Sequence, residues 1–548
     1  MRNRNPKDGG ARGVLVLTVS NLLVKAAGLV FKIPMNSVVG DAGMGYYNAA
    51  CSLFTVFYTL SAAGLPVALS VMIAGYRAEG NVLGARQTEK RAALLFLSLG
   101  LASSCLMFFC AGPLSGVIRS PGSRISVEAV APALLFLCVS GALRGCFQGT
   151  GDMTPTAVSQ LAEAVGKTAF GVAGAVWAVR RGYSASVAAA FAAMGLTVGS
   201  LVGTLCLLAV RLRRGEKIFR AGETRDQPVD PRVTLRRLFE IALPVTLSAS
   251  VMSLSAVADT TSVQRILQAA GKSAEEAAAA YGNYTSLAVP LFNLPPALVY
   301  PAAYALVPAA AAAMAEGNRK KAAESVRRAA EYAAMIGIPS AFGLAALADP
   351  ILCLLFRESS AHRAAPLLLL LAPAAFFVCL TAVTNAALQA VGGQRIALCT
   401  MTAGAAVKWV SAEILLRRCG IAGAPLSTFL SYLTISGLNL CFLPRRIGGF
   451  LPPAKRILAV FCSGALCGFA AERCRGTFSR FLPGDAATLC AIAAGGSVYL
   501  AALGLTGILR DYLPRRADHR KDHSNGTEYQ GTEGKTARRK GARYGIGG

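Results

Sequence analysis

The chain has 548 residues, of which 54% are hydrophobic and only 15% are charged, and its mean hydropathy is +0.50. Soluble domains carry about 25% charged residues, so this composition excludes an ordinary soluble domain and indicates a membrane protein. The formal net charge of +27 would suggest a nucleic-acid partner, but the distribution of the charge along the chain, given below, argues against one.

The hydrophobic segments predict an all-α polytopic membrane protein with about fourteen transmembrane helices. About 20 apolar residues in a helix cross a hydrocarbon core of about 30 Å, and a helix satisfies its own backbone hydrogen bonds in lipid. The sequence lacks the alternating pattern of a membrane β-barrel. In chain order, the predicted spans are 14–38, 46–76, 92–118, 127–149, 154–179, 184–210, 236–268, 280–314, 329–356, 364–391, 395–416, 421–443, 456–474 and 486–509.

Lysine and arginine concentrate on the segments that these crossings place on one side of the membrane, together with both termini. Basic clusters occur at 211–220, 319–321 and 445–446. This asymmetry is the positive-inside pattern, so we predict a cytoplasmic-membrane protein with both termini in the cytoplasm. The basic segments would also attract anionic membrane lipids.

Two stretches of the chain resemble each other without a gap. FQGTGDMTPTAVSQLAEAVGK (147–167) aligns with LQAVGGQRIALCTMTAGAAVK (388–408) at an offset of 241 residues. A second match, between residues 79–81 and 316–318, has an offset of 237. Such an offset spans six predicted helices and preserves their direction, which indicates a parallel repeat of two six-helix lobes. Internal repeats of this kind are typical of transporters, which bind substrate between the repeats.

The repeat divides the chain into five segments. We predict an N-lobe with transmembrane helices 1–6, a basic cytoplasmic linker, a C-lobe with helices 7–12, a pair of additional helices, and a disordered basic cytoplasmic tail. In the same order, these segments are 14–210, 211–235, 236–443, 444–510 and 511–548.

Charged residues within the first predicted span indicate an internal cavity, since a charge at mid-membrane costs about 2.5–3.5 kcal/mol on insertion scales. Asn21, Lys25, Gly28 and Lys32 follow one another at helical spacing and share a stripe. One interpretation is an anion site, because lysine offers a point charge that binds phosphate. The alternative is that a lysine extends toward the membrane interface.

The repeated segments contain further charges. Glu163 and Lys167 are four residues apart and share a helix face. They either neutralise each other or leave Lys167 facing the cavity with Glu163 tuning it. Lys408 is the repeat counterpart of Lys167, and Gly404 replaces the glutamate, so the cation recurs without the anion. This recurrence favours a cavity role for both lysines.

Four other polar positions are candidates for the cavity or for energy coupling. Arg144 and Gln148 share a helix face, and Gln389 is the repeat counterpart of Gln148. Arg144 either lines the cavity or extends toward the interface. Asp259 lies deep in the seventh span and either binds a coupling cation or a proton, or pairs with Arg265 or a lysine. Because cations exceed acids within the spans, the cavity favours an anionic ligand.

No motif for catalysis or for a cofactor occurs in the sequence. It contains neither HExxH nor a Ser-His-Asp arrangement, and VGKT at 165–168 lacks the first glycine of a P-loop. The three histidines, among them His362, are dispersed, and the fifteen cysteines form no CxxC or Cys/His cluster. We therefore expect no enzyme activity, no cofactor, no metal and no disulfide framework. We also expect a monomer.

Several stretches resemble one protein family. They are NLLVKAAGLVFKIPMNSVVGDAGMGYYNAA (21–50), AAGLPVALS (62–70) and the repeated FQGTGD and LQAVGG segments. These stretches are similar to the stage V sporulation protein B family, which belongs with the MurJ-type lipid II flippases. Both are part of the multidrug/oligosaccharidyl-lipid/polysaccharide exporter superfamily. The resemblance covers residues 14–510.

The resemblance implies a flippase for an undecaprenyl-pyrophosphate-linked saccharide, either lipid II or a related polysaccharide precursor, that works by rocking of two lobes. It implies that cavity cations hold the pyrophosphate, with Lys25 and Lys32 at matching positions. It also implies that the last two helices form a groove for the lipid tail. Relatives often have lysine after GLPVALS, where this chain has Val71, which leaves another lipid-linked glycan open as cargo.

Three classes of function therefore stand at the level of the sequence. The first is the flippase, with Na⁺, H⁺ or the membrane potential as its energy source. The second is a multidrug/cation antiporter of the same superfamily, which a cavity rich in acids would favour. The third is a membrane scaffold without transport activity, in which loss of Lys25 or Lys408 would have no effect.

Overall fold

The structure, a computed structural model, describes residues 6–215 and 227–508, with backbone alone for 6–26 and a few later positions. The predicted tail at 511–548 and the side chains of Asn21 and Lys25 lie outside the described part. Helices account for nearly all of the described residues, and no strand occurs among them. The predicted all-α class is therefore confirmed.

Two lobes of helices, followed by a helical pair, make up the described chain. The first lobe consists of α1 (Pro6–Ala62), α2 (Leu65–Ala78), α3 (Val82–Phe109), α4 (Ala111–Val117), α5 (Arg124–Val130), α6 (Ala133–Gly149), α7 (Thr154–Arg180) and α8 (Ala185–Arg214). The second consists of α9 (Pro231–Ala269), α10 (Ala274–Gly282), a π-helical turn (Asn283–Ala288), α11 (Val289–Phe292), α12 (Leu294–Ala315), α13 (Arg319–Ala346), α14 (Ala348–Leu355), α15 (Glu358–Ala390), α16 (Gln394–Cys419), α17 (Gly423–Phe442) and α18 (Pro444–Ile447). The pair is α19 (Ala454–Phe478) and α20 (Gly484–Leu505).

Nine stretches of the described residues are long and apolar enough to cross a membrane, and a bent helix pair at 274–303 would make a tenth. Three of the nine, Val30–Ala78, Pro121–Gly149 and Gln394–Ile447, contain more than one helix. The chain is thus a multi-pass membrane protein, and the number of fourteen crossings stays a prediction.

Breaks in the long helices fall where the backbone requires them. Gly40 interrupts α1 with a φ of 74°, which glycine adopts without steric cost. This break separates the first two predicted spans. The second predicted span, 46–76, is itself divided after Ala62, and Pro66 stands in the first turn of α2, where proline is tolerated because that N–H has no helical partner. The GLP motif is therefore a helix junction.

The lobes meet along a limited set of helices. From the second lobe, α9 packs on α1 and α2, whereas α10 and the π-helical turn pack on α1. The following helix, α12, instead packs on α13 and α15 within its own lobe. The additional helices attach to the second lobe, since α19 packs on α13 and α20 packs on α14. The bent helix pair at 274–303 therefore packs on the first lobe as far as the π-helical turn and leaves the interface between the lobes after it.

Candidate functional site

A polar cavity of about 210 Å³ lies within the first lobe, between α1, α6, α7 and α8. Close packing of α7 on α8 through small residues supports its wall, with Gly166 facing Gly199. The polar part of the lining comes from Arg144 on α6 and from Gln160, Glu163, Lys167 and Thr168 on α7. Five polar side chains thus converge on one cavity.

Glu163 is paired with Arg144 rather than with Lys167. The Arg144 guanidinium donates to Glu163 Oε2 at 2.8 Å and to Ser159 Oγ at 3.2 Å. The two charged side chains are only 12% and 20% exposed. A charge pair this well covered is held in a fixed geometry by its second hydrogen bond. The interpretation in which Glu163 and Lys167 neutralise each other is therefore wrong. Arg144 lines the cavity and does not extend toward the membrane interface.

Lys167 projects over aromatic rings of α1. Its Nζ lies 5.0 Å from the ring centroid of Phe31 and 5.9 Å from that of Tyr47. Contacts of this kind stabilise an ammonium group without cancelling its charge. Among the described side chains, Lys167 forms no ion pair, so it contributes a net positive charge to the cavity.

Lys32 spans the interface between the lobes. Its Nζ donates to the carbonyl oxygen of Thr285, in the π-helical turn of the second lobe, at 2.8 Å. π-Helical turns frequently mark functional sites. Lys32 and Lys167 also repel each other electrostatically, so two cations without a carboxylate partner in the described chain stand close together beside the interface.

Lys408, the equivalent lysine of the second lobe, differs from Lys167 because it has a carboxylate partner. Lys408 on α16 forms an ion pair with Asp259 on α9, and the side chains are 22% and 24% exposed. Arg265, the other partner considered for this aspartate, pairs with Glu413. Of the two interpretations of Asp259, the structure shows the ion pair with a lysine. The pair leaves Asp259 and Lys408 without net charge.

The remaining candidates are less centrally placed. Gln148 is half-buried at the end of α6, and Gln389 is exposed near the end of α15; neither lines the cavity. Gln160 was missed by the sequence analysis, although it lines the cavity and its buried Oε1 has no hydrogen-bond partner in the described structure. Its spacing of seven residues from Lys167, two helical turns, was the available signal.

A second site missed by the sequence analysis closes one end of the interface. Asp41, directly after the Gly40 break, accepts hydrogen bonds from four side chains and pairs with an arginine of the second lobe. The donors are Asn36 at 3.2 Å, Asn283 at 3.1 Å, Ser360 at 2.6 Å and Arg363 at 2.7 Å. We call these five residues the Asp41 latch.

Backbone contact reinforces the latch. Gly45 packs so closely on α10 that a side chain at position 45 would overlap the carbonyl oxygen of Ala278. A cavity of about 570 Å³ opens beside the latch, lined by Asp41 of the first lobe and by charged residues of the second lobe such as Lys272, Glu276 and Arg357. The lobes are therefore held together at the Asp41 end by polar bonds that separation would expose to water.

An apolar groove runs along the second lobe. It has a volume of about 350 Å³ and lies between α12, α13, α19 and α20. Leu294, Leu298, Gly343 and Ile492 contribute to its lining, and Tyr499 on α20 donates to the carbonyl oxygen of Met335 at 2.7 Å. The two additional helices therefore form a wall of this groove.

Two lobes of membrane helices with charged groups at their interface are typical of transporters, and the matches that follow place the chain in the multidrug/oligosaccharidyl-lipid/polysaccharide exporter superfamily. The chain belongs to the polysaccharide biosynthesis protein family, whose model matches residues 11–314. The MatE model matches residues 244–412. The second match begins within α9, and the two matches overlap over residues 244–314, in the first helices of the second lobe.

Three relatives from Bacillus subtilis (strain 168) align over nearly the whole chain. The uncharacterized membrane protein YabM is 26% identical, with 91% of this chain and 93% of the relative covered. The lipid II flippase MurJ is 24% identical, with 92% and 97% covered. Stage V sporulation protein B is 25% identical, with 90% and 94% covered. These matches confirm the family resemblance of the sequence.

Solved structures share the fold. An inward closed conformation of the lipid II flippase MurJ superposes with a TM-score of 0.67 at 14% identity, covering 91% of this chain and 99% of that one. An inward-facing multidrug resistance MATE family transporter gives a TM-score of 0.62 at 16% identity, covering 79% and 98%. Both matched proteins are transporters rather than enzymes.

Proposed function

We propose that this protein is a flippase that carries an undecaprenyl-pyrophosphate-linked saccharide, lipid II or a related polysaccharide precursor, across the cytoplasmic membrane. The observation that carries the proposal is a pair of cations without carboxylate partners in the described chain: Lys32 at the lobe interface and Lys167 in the first-lobe cavity beside it. A pyrophosphate diester is an anion that two ammonium groups can hold as point charges.

The surrounding residues suit this ligand. Arg144 is already neutralised by Glu163, so the local charge excess comes from the two lysines. In the sequence, Lys25 precedes Lys32 by seven residues, a spacing of about two helical turns, which predicts a further cation on the same stripe. Gln160 offers a buried amide with an unused acceptor, which is suited to a sugar hydroxyl.

The apolar groove is suited to bind the lipid tail of such a cargo. A long polyprenyl chain remains in contact with hydrocarbon while its head group crosses the membrane. The groove between α12, α13, α19 and α20 has apolar walls, and the last two helices build one side of it. This arrangement supports a lipid-linked cargo over a small hydrophilic one.

Transport would occur by alternating access of the two lobes. In the predicted orientation, both termini are cytoplasmic and the Asp41 latch lies on the outer side, and we infer from this a state closed to the outside. Release of the cargo requires the latch bonds to break. Protonation of Asp259, or binding of Na⁺ to it, would release Lys408 and provide a route for energy coupling.

A multidrug/cation antiporter is the alternative, favoured by the match of residues 244–412 to the MatE model. Cation binding requires an available acid in the interior. Glu163 and Asp259 are instead held by Arg144 and Lys408, which leaves the interior cationic. The relative named as a lipid II flippase also favours the lipid-linked saccharide.

The test is lipid II exposure on the outer face of cells depleted of their own flippase and supplied with this protein. Exposed lipid II is detected by an added enzyme that cleaves only what it reaches from outside. We expect exposure to be restored, and to be lost in K32A and K167A at equal protein levels. The control, K320A, removes an exposed cation from the start of α13 and should transport normally.

Failure to restore exposure despite correct membrane insertion would exclude lipid II as the cargo. Drug efflux measured in the same cells would then separate the antiporter from a flippase for a different glycan. Restored exposure that is insensitive to both lysine variants would support the function and reject the site.

A further inference from the structure

A cluster of three metal-binding side chains lies outside the transport site, where α14 meets the start of α15. Asp349 and Cys353 are four residues apart and share a face of α14, and His362 lies on the first turns of α15. One ligand atom from each of the three residues lies within 4.8 Å of the other two. The sequence analysis treated His362 as isolated, because nothing in the sequence places α14 against α15.

The geometry points to a site for a single transition-metal cation, and we propose Zn²⁺ as its occupant. Thiolate, imidazole and carboxylate together are the ligand types that zinc prefers, and bonds of about 2.0–2.3 Å place tetrahedral ligand atoms about 3.5 Å apart. In the structure, His362 Nδ1 is 2.6 Å from Asp349 Oδ1, and Cys353 Sγ is 3.9 Å from the same oxygen. Three protein ligands leave the fourth position to water.

The second ring nitrogen of His362 provides independent support for a metal site. His362 Nε2 lies 3.6 Å from Glu358 Oε1, one helical turn earlier on α15. A histidine that binds metal usually donates its second N–H to a carboxylate, which fixes the tautomer and the ring orientation. Glu358 lies just beyond hydrogen-bonding distance of Nε2, so a small movement would let it accept that proton while Nδ1 exchanges its bond to Asp349 for the metal.

Calcium and magnesium suit this cluster less well. Both prefer sets of six or more oxygen ligands, whereas here a sulfur and a nitrogen accompany one carboxylate. Soft and borderline metals accept thiolate and imidazole. Binding would displace the proton shared by His362 and Asp349 and the thiol proton of Cys353, so it would release protons to the solvent.

The position of the cluster links it to the Asp41 latch. Ser360 and Arg363, which flank His362 on α15, both bond to Asp41. A metal ion at His362 would fasten α14 to the helix segment that provides these two latch residues. The site would therefore stabilise the part of the second lobe on which the latch depends.

The test is titration of the purified full-length protein with Co²⁺ and Zn²⁺. We expect one Co²⁺ per chain, with the absorption band of a cobalt–thiolate bond, and displacement of this band by Zn²⁺. The band should disappear in C353S and weaken strongly in H362A. The control, C419S, removes the exposed thiol at the end of α16 and should keep the band.

A second readout covers the case in which a variant folds poorly. Zn²⁺ should raise the thermal unfolding temperature of the wild-type protein and of C419S, because a ligand that binds the folded state stabilises it. It should not raise that of C353S, D349N or H362A, each compared with its own metal-free sample. Absence of binding, or binding that all three ligand variants retain, would overturn the proposal.

Discussion

Lys167 and Lys408 hold equivalent positions in the internal repeat, yet only Lys408 is neutralised, by Asp259 on the neighbouring helix. The ammonium of Lys167 lies instead against the rings of Phe31 and Tyr47. The difference makes the two lobes electrostatically unequal: the first holds the charge excess and the second holds a closed ion pair. We infer that the first lobe binds the anionic head group and the second provides the coupling element.

Removal of the Lys167 charge should impair transport strongly. A hydrogen bond to a charged group contributes about 1.5–3 kcal/mol, which corresponds to about a ten- to hundredfold lower transport rate at limiting substrate. We expect this loss in K167A in the outer-exposure assay, with partial recovery in K167R. Transport by K167A at the wild-type rate would remove Lys167 from the binding site.

Separation of the Asp259–Lys408 pair should cost stability unless both charges are removed together. D259N or K408M alone leaves a charged group largely buried without its partner, which costs about 1–3 kcal/mol. We expect both single variants to unfold at lower temperature in detergent and the double variant to recover most of the loss. Additive losses in the double variant would indicate that the two residues act independently.

The same variants separate coupling from structure. If Asp259 takes part in energy coupling, the folded double variant should transport with a weaker dependence on ion gradients and membrane potential. Transport would be measured after selective collapse of each gradient. An unchanged dependence would leave the ion pair with a structural role alone.

Loss of the latch should open the Asp41 end. D41N removes the negative charge that Arg363 and three neutral donors share, so the closed state loses about 1.5–3 kcal/mol. Cys51, which lies near Lys32 and Lys167, provides a native reporter. We expect a membrane-impermeant maleimide added outside the cell to label Cys51 at least about tenfold faster in D41N.

Labelling would be measured by peptide-resolved mass spectrometry, since the chain has fifteen cysteines. Cys138, buried within the first lobe, should stay unlabelled in both proteins. Equal labelling of Cys51 in D41N and wild type would contradict the latch.

Obstruction of the apolar groove should act on the lipid tail of the cargo. Gly343 lines the groove, and nothing lies within 4 Å of the position that a side chain would occupy. We expect G343F to slow transport of a long-chain substrate more than that of a short-chain analogue, in vesicles containing the purified protein. G504F places the same ring on an exposed, equally open position of α20, and it should leave both rates unchanged.

Much of the fold follows from hydropathy and spacing, because lipid forces each apolar stretch to satisfy its backbone as a helix. The helices, the repeat and the family were accessible in this way. Breaks such as the junction before Pro66 and the π-helical turn at Asn283–Ala288 were not, because they depend on packing between helices that are distant in sequence. The Asp41 latch was missed for the same reason, since its donors are up to 322 residues away.

The sequence by itself determined that this protein is a helical membrane transporter whose interior carries more lysine and arginine than acid. It also determined which residues were available for a charged site, because charges within apolar spans stand out. Only the tertiary structure decided how those charges are paired. Glu163 pairs with Arg144 rather than with Lys167 on its own helix, and Asp259 pairs with Lys408. Both pairs depend on which helix faces lie opposite each other in space.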